Sequence, residues 1–282
     1  MDLTGRLREG DRARYLCTLF AAEHHRADLS ALYNFNLEIA RIRDSVSDPM
    51  IGQLRMKWWY DAIDRISGGL PPSHPVLRAL QQTVTRHDLD PGRLSRLVET
   101  RAADISPAQP DDLDDLFAYV DATAGVVGRM ALLILAPGAS GEVVRALDLV
   151  SRGWGLSGML RALPAHAARG WHYMPKDRLA SFDLTPTALT QIRYGTPSPQ
   201  NVRDLAMDLV GEAASALAEA RRLVGDCPKA ALPGLLLARV ADDNLARLRK
   251  HGGDPAMARP DPAEPGPGVM LKLWWAARRR RF

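Results

Sequence analysis

Apolar positions recur along most of this chain at intervals of three and four residues, the spacing that gathers side chains on one face of an α-helix. The pattern is plainest late, where Val202, Leu205, Leu209, Val210, Ala213, Leu217, Ala220 and Val224 fall on one stripe. A second run covers residues 235–248 and stops near Gly252 and Gly253, residues that readily terminate helices. Similar stretches predict helices over 12–25, 28–45, 49–67, 75–88, 91–105, 112–136 and 141–164. Asp48-Pro49, Asp90-Pro91, Thr185-Pro186 and Ser198-Pro199 each set a capping side chain before a proline, a helix-opening signal. Residues 169–197 read as looser, short helical pieces. Alternating β-branched runs joined by hairpin turns are missing from the sequence, so the expectation is an all-α chain.

Composition changes this picture mainly at the end of the chain. With 282 residues, 46% of them hydrophobic, the chain is long enough for one sizeable core. The pattern predicts one helical domain over residues 1–251. Residues 252–268 are rich in Pro and Gly and read as a mobile linker that packs no core. Residues 269–282 form a basic amphipathic tail in which Trp274 and Trp275 precede Arg278 to Arg281. That combination suits weak peripheral contact with an anionic membrane, and equally suits a basic solubility tail. The longest unbroken apolar stretch, Met130 to Pro137, is too short to span a bilayer, and residues 1–11 are polar and charged with no secretory pattern. Cys17 and Cys227 are far apart and read as buried apolar residues of a protein in a reducing compartment. The expected location is cytoplasmic, with peripheral contact on the inner face of the cytoplasmic membrane. A net charge of +4 without aromatic-basic interleaving gives no reason to expect a nucleic-acid partner.

Four segments carry the chemistry. The first runs Ala31-Leu32-Tyr33-Asn34-Phe35 through Ala40-Arg41-Ile42-Arg43-Asp44, followed by Arg55-Met56-Lys57-Trp58-Trp59. The second is Tyr119 with Ala124-Gly125-Val126-Val127-Gly128. The third is Leu160-Arg161-Ala162-Leu163-Pro164-Ala165-His166, then Arg169-Gly170-Trp171-His172-Tyr173-Met174-Pro175. The fourth is Leu232-Pro233-Gly234, leading into the helix that ends at Lys250. In this order, over roughly residues 11–250, they resemble the squalene/phytoene synthase family. The resemblance implies a single isoprenoid synthase-like helical bundle around a central cavity.

It also implies where chemistry would sit. In the family the first and third segments carry aspartates and glutamates three or four residues apart, which share a helix face. They hold Mg2+ ions that grip the diphosphate of a prenyl substrate. Here the six acid positions read Ala40, Arg41, Asp44, Ala162, Ala165 and His166, so one carboxylate remains. Pro164 is expected to interrupt the helix at this point. His166 has no second ligand at helical spacing, so no metal is assigned and no cofactor is expected, Mg2+ being required only if the chain is active. The positions the resemblance marks for a ligand are Tyr33, Arg41, Arg43, Asp44, Arg55, Trp58, Arg161, Arg169 and Tyr173.

Other acids and histidines read as ordinary surface. Asp111-Asp112-Leu113-Asp114-Asp115 satisfies the aspartate pattern literally, but it opens a helix, where the dipole favours acids. Asp61/Asp64, Asp204/Asp208 and Asp242/Asp243 read as solvated faces paired with Arg65, Arg203 and Arg247. His24 and His25 have no nucleophile motif beside them.

Phe35-Asn36, Asp44-Ser45-Val46-Ser47, Gly52 with Arg55-Met56, and Leu160 to His166 resemble one branch of the family, that of the complex I assembly factors. That resemblance implies a protein that acts by binding a respiratory complex I subunit. Two alternatives stand beside it: an active head-to-head prenyl transferase, and a non-catalytic isoprenoid- or lipid-binding protein with a basic mouth.

Overall fold

The computed structural model describes residues 2–69, 73–106, 108–258 and 267–282. Sixteen α-helices and no strands occur among them. The first half contains α1 (Leu3–Gly10), α2 (Arg12–Thr18), α3 (Glu23–Ala40), α4 (Ile42–Ser45), α5 (Pro49–Ser67), α6 (Pro75–His87) and α7 (Pro91–Ala102). The middle contains α8 (Leu113–Val120), α9 (Val126–Leu135) and α10 (Gly141–Ala167). The remainder contains α11 (Lys176–Ser181), α12 (Pro186–Leu189), α13 (Gln200–Leu223), α14 (Leu232–Leu235), α15 (Leu237–Lys250) and α16 (Pro267–Arg279).

The helix starts follow the caps read from the sequence. Asp48, Asp90 and Thr185 accept from the N–H of Met50, Gly92 and Ala188 at 2.8, 2.8 and 3.2 Å. Two predicted helices are divided. The one over 12–25 is cut between Thr18 and Glu23, where the Arg26 guanidinium donates to the carbonyls of Ala21 and Leu19 at 3.0 and 3.1 Å and holds the turn. The one over 28–45 is split at Arg41 into α3 and α4. The prediction over 112–136 is one continuous helical path, but residues Asp121–Gly125 widen into a π turn between α8 and α9. There the Thr123 hydroxyl donates to the Tyr119 carbonyl at 2.8 Å, inserting a side chain into the backbone ladder. Pro164 does not end α10, which continues to Ala167 with Leu163 and Ala167 both buried. So near the helix end, burial of the flanking residues outweighs the one bond that proline removes.

Two apolar clusters form the interior. One joins α1, α3, α5, α6, α7 and α9 around Leu7, Phe35, Ile63, Leu80 and Leu97. The other joins α2, α10 and α13 to α16 around Leu160, Leu209, Leu217 and Leu248. Helix α10 lies most extensively along α13, and a Cβ at Gly153 would meet the Leu217 side chain at 2.6 Å and the Ala213 carbonyl at 3.2 Å. Only glycine allows that approach. The run Leu113–Leu135 has the length and mean hydropathy, 1.5, to cross a membrane, yet half of that window is buried inside the bundle. Counting only an unbroken apolar stretch overlooked it. Cys17 and Cys227 are both buried thiols.

The expected division into domain, mobile linker and separate tail is corrected. Gly253 and residues 254–256 are buried. The Asp254 carboxylate accepts from the Ser198 N–H and hydroxyl at 2.9 and 2.7 Å, and from the Ala256 N–H at 3.0 Å. Ser198 is thus used here rather than as a helix cap. Residues 259–266 of the expected linker lie outside the described residues. Helix α16 then returns to the bundle, burying Leu273, Ala276 and, just beyond the helix, Phe282 in the second cluster. Arg221 donates to the Phe282 carbonyl at 2.6 Å and the Cys227 N–H to the Arg280 carbonyl at 3.0 Å. Lys272 pairs with Asp243. The opposite face of α16 exposes Leu271, Trp274 and Trp275.

Candidate functional site

A cavity of about 570 Å3 opens between the α1–α2 junction, the end of α3, the π turn, α10 and α15. Ala40, Thr123, Ala124, Gly155 and Gly158 keep its walls short. Arg8, Arg12, Arg14, Arg101, Arg161 and Arg247 line it against three acids, Glu9, Asp11 and Asp243. Two of those acids are engaged: Asp11 with Arg14 at 2.6 Å, and Asp243 with Lys272. The lining is therefore cationic.

The two motif segments meet at the cavity edge. Arg169 donates to Asp44 at 2.7 Å and bridges them. The pair is about half exposed, so it adds little stability, on the order of 0–1 kcal/mol. Its consequence is electrostatic: the one carboxylate left at these positions already has a cation. Behind it, Arg43 lies over the Trp171 ring at 4.0 Å and donates to the Asp104 carbonyl. His166 stacks on the same Trp171 at 3.8 Å. Burial, then Arg169 and Arg43, push the His166 pKa down to about 3, so its ring is neutral near pH 7.

Next to this lies a buried polar network. The Tyr173 and Tyr119 hydroxyls donate to Asp104 at 2.7 and 3.0 Å and lie 3.0 Å from each other. Arg101 donates to Asp104 at 3.2 Å and to the Tyr119 oxygen at 2.7 Å. Burial, with help from Asp104, raises the Tyr119 pKa to about 12 against the lowering pull of Arg101. Burial, Tyr119 and Asp104 raise that of Tyr173 further. Both phenols stay protonated and act as donors.

The predicted residues divide. Ala40, Arg161, His166 and Tyr173 line the cavity. Arg43, Asp44 and Arg169 form its edge through the contacts above. Ala162 and Ala165 are partly buried on α10 and do not line it. Arg41 is exposed and donates to the Gly10 carbonyl at 3.2 Å. Tyr33 is buried in the core, where Arg14 stands 5.5 Å over its ring. Arg55 and Trp58 point away, because α5 turns Met56, Trp59 and Ile63 inward. Arg55 donates to the Ser45 hydroxyl at 3.0 Å, and Trp58 packs edge-on to Trp59 and His74.

Sequence reading missed Arg101 and Asp104, the α1–α2 arginines and the part played by Trp171. The surface acids are also partly reassigned. Asp61 pairs with Lys57, Asp208 with Arg178 at 3.2 Å, and Asp242 with Arg221 at 2.6 Å. Asp243 is largely buried rather than solvated. Asp112 caps α8, as the helix-opening reading expects.

Mg2+ clusters need several carboxylate oxygens from facing helices. Here those positions offer Asp44, held by Arg169, amid alanines, arginines and a neutral histidine. The residues present do not fit the ions.

An all-α bundle around a central cavity, walled by paired motif helices, is the architecture of the isoprenoid synthases. The chain belongs to the squalene/phytoene synthase family, whose family model matches residues 7–265. A mouse (Mus musculus) protein named NADH dehydrogenase (ubiquinone) complex I, assembly factor 6 is 27% identical over 277 residues, 98% of this chain and 81% of the mouse protein. A dehydrosqualene synthase crystal structure superimposes with a TM-score of 0.82 at 18% identity, covering 98% of this chain and 94% of that one. The squalene synthase HpnC from Alicyclobacillus acidocaldarius gives 0.75 at 24% identity, over 89% and 93%.

Proposed function

We propose that this chain is a non-catalytic member of its family that acts by binding, as an assembly factor for a respiratory NADH dehydrogenase complex. One observation carries the reading: the site where the family's divalent ions would sit holds Arg169 bridged to Asp44, with a neutral His166 beside Arg43. The likeness to complex I assembly factor 6 along 98% of the chain supports the kind of client. The protein works in the cytoplasm and touches the inner face of the membrane through the exposed side of α16, close to where a membrane subunit would be delivered.

The arginine-lined cavity favours a companion reading, a bound lipid or isoprenoid with an anionic head. Lipid that co-purifies with the protein, seen by native mass spectrometry, would support it.

The test is genetic and biochemical. Removing the gene is expected to reduce assembled NADH dehydrogenase in native gels, with recovery on re-expression of the intact chain. Normal assembly without the gene would remove the proposal, as would diphosphate release from farnesyl diphosphate with Mg2+ at an enzyme-like rate.

A further inference from the structure

Outside the cavity lining, three side chains converge where the start of α3 meets the end of α6. The ligand atoms of His25, Asp28 and His87 all lie within 4.8 Å of one another. We propose that these residues form a binding site for a divalent transition-metal ion, zinc being the ion they suit best.

His25 and Asp28 are three apart in α3 and so share a helix face. His87 closes α6, which packs along α3. Imidazole and carboxylate are ordinary zinc ligands, and three protein ligands leave a fourth position for water. Zinc takes them at about 2.0–2.2 Å, with ligands about 3.4 Å apart in a tetrahedral site. The observed spacing needs only a modest closing movement, and His25 is partly exposed, so its ring can swing.

The surroundings orient the carboxylate. Asp28 is 3% exposed. Its Oδ1 accepts from the Thr83 hydroxyl at 3.2 Å and from Arg86 at 2.6 Å. Its Oδ2 is left facing the Nε2 of His87 at 2.8 Å. Outer donors fixing one oxygen while the other points at an imidazole is how proteins set a metal ligand. A metal ion would take the place of the hydrogen now between Oδ2 and Nε2. Arg86 carries charge of the same sign as the ion, but it is 56% exposed and screened by water.

A second observation points the same way. The Nδ1 of His25 is buried and has no hydrogen-bond partner. Buried polar atoms seldom stay unpaired without a reason. An ion, or water bound to it, gives that ring a partner.

The site stands independently of the assembly reading, since it uses none of the cavity residues. Titration of the untagged, metal-stripped full chain with zinc chloride is expected to show one equivalent bound. H25Q and H87Q should each weaken binding at least about tenfold while keeping the helical circular dichroism. Cobalt(II) should give the visible absorption of a tetrahedral site in the wild type and lose it in both variants. Should H87Q fail to fold, H25Q, at the partly exposed residue, decides alone. Absence of stoichiometric binding, or affinity unchanged by the histidine substitutions, would overturn the proposal.

Discussion

Asp104 collects more polar contacts than any acid of the degenerate motifs. It accepts from Tyr119, Tyr173 and Arg101, and is 5% exposed. Burial alone would lower the Arg101 pKa, but Tyr119 and Asp104 outweigh it and raise it, so the cation persists. Removing the acid leaves that cation unmatched in a largely buried site. Asp104→Ala is expected to cost about 3–5 kcal/mol, read from the urea midpoint. Tyr173→Phe, which deletes only hydrogen bonds, should cost about 1–2 kcal/mol. Tyr173 was legible in the sequence because it stands at a fixed distance from Arg169-Gly170 within a motif. Asp104 was not, because its phenol partners lie 15 and 69 residues away and a lone acid after a helix makes no pattern. The same holds for Asp28 and His87, which are 59 residues apart.

At the scale of elements, helix existence was legible and packing was not. Periodic apolar positions gave α13 and α15 directly, since each buries a long stripe. The break between α2 and α3 escaped because a side chain, Arg26, stabilises it rather than a Pro or Gly. Proline and glycine in residues 252–258 correctly signal an absence of regular helix. They say nothing about whether the segment is anchored, and Asp254 anchors it. Helix α16 has two faces with separate roles. Phe282→Ala, which empties a buried ring position, should destabilise the protein by about 3–5 kcal/mol in thermal or urea unfolding. Trp274→Ala with Trp275→Ala should change stability by less than about 1 kcal/mol. The same double variant should sharply reduce flotation with vesicles of anionic lipid.

For the whole molecule, the fold was readable because four ordered segments matched one family, and the cavity came with the fold. The charge of the cavity was only partly readable. Arg161 was foreseen, but Arg8, Arg12 and Arg14 enter from a short N-terminal helix pair that no motif marks. Under the companion reading of a bound isoprenoid, the cavity's arginines would supply the positive charge for a diphosphate in place of an ion. Farnesyl diphosphate is expected to raise the melting temperature equally in Mg2+ and in EDTA, and less as salt increases. A shift that vanishes in EDTA would contradict this.

The bridge between Arg169 and Asp44 bears on what it would take to install a metal ion at this site. His166→Asp alone would set a new negative group within the fields of Arg43 and Arg169, the two cations that already act on that position. It would join them as another internal pair and recruit no magnesium. Several of the six motif positions would have to become acidic together before a divalent ion found enough oxygen ligands there, so no single substitution installs a metal centre.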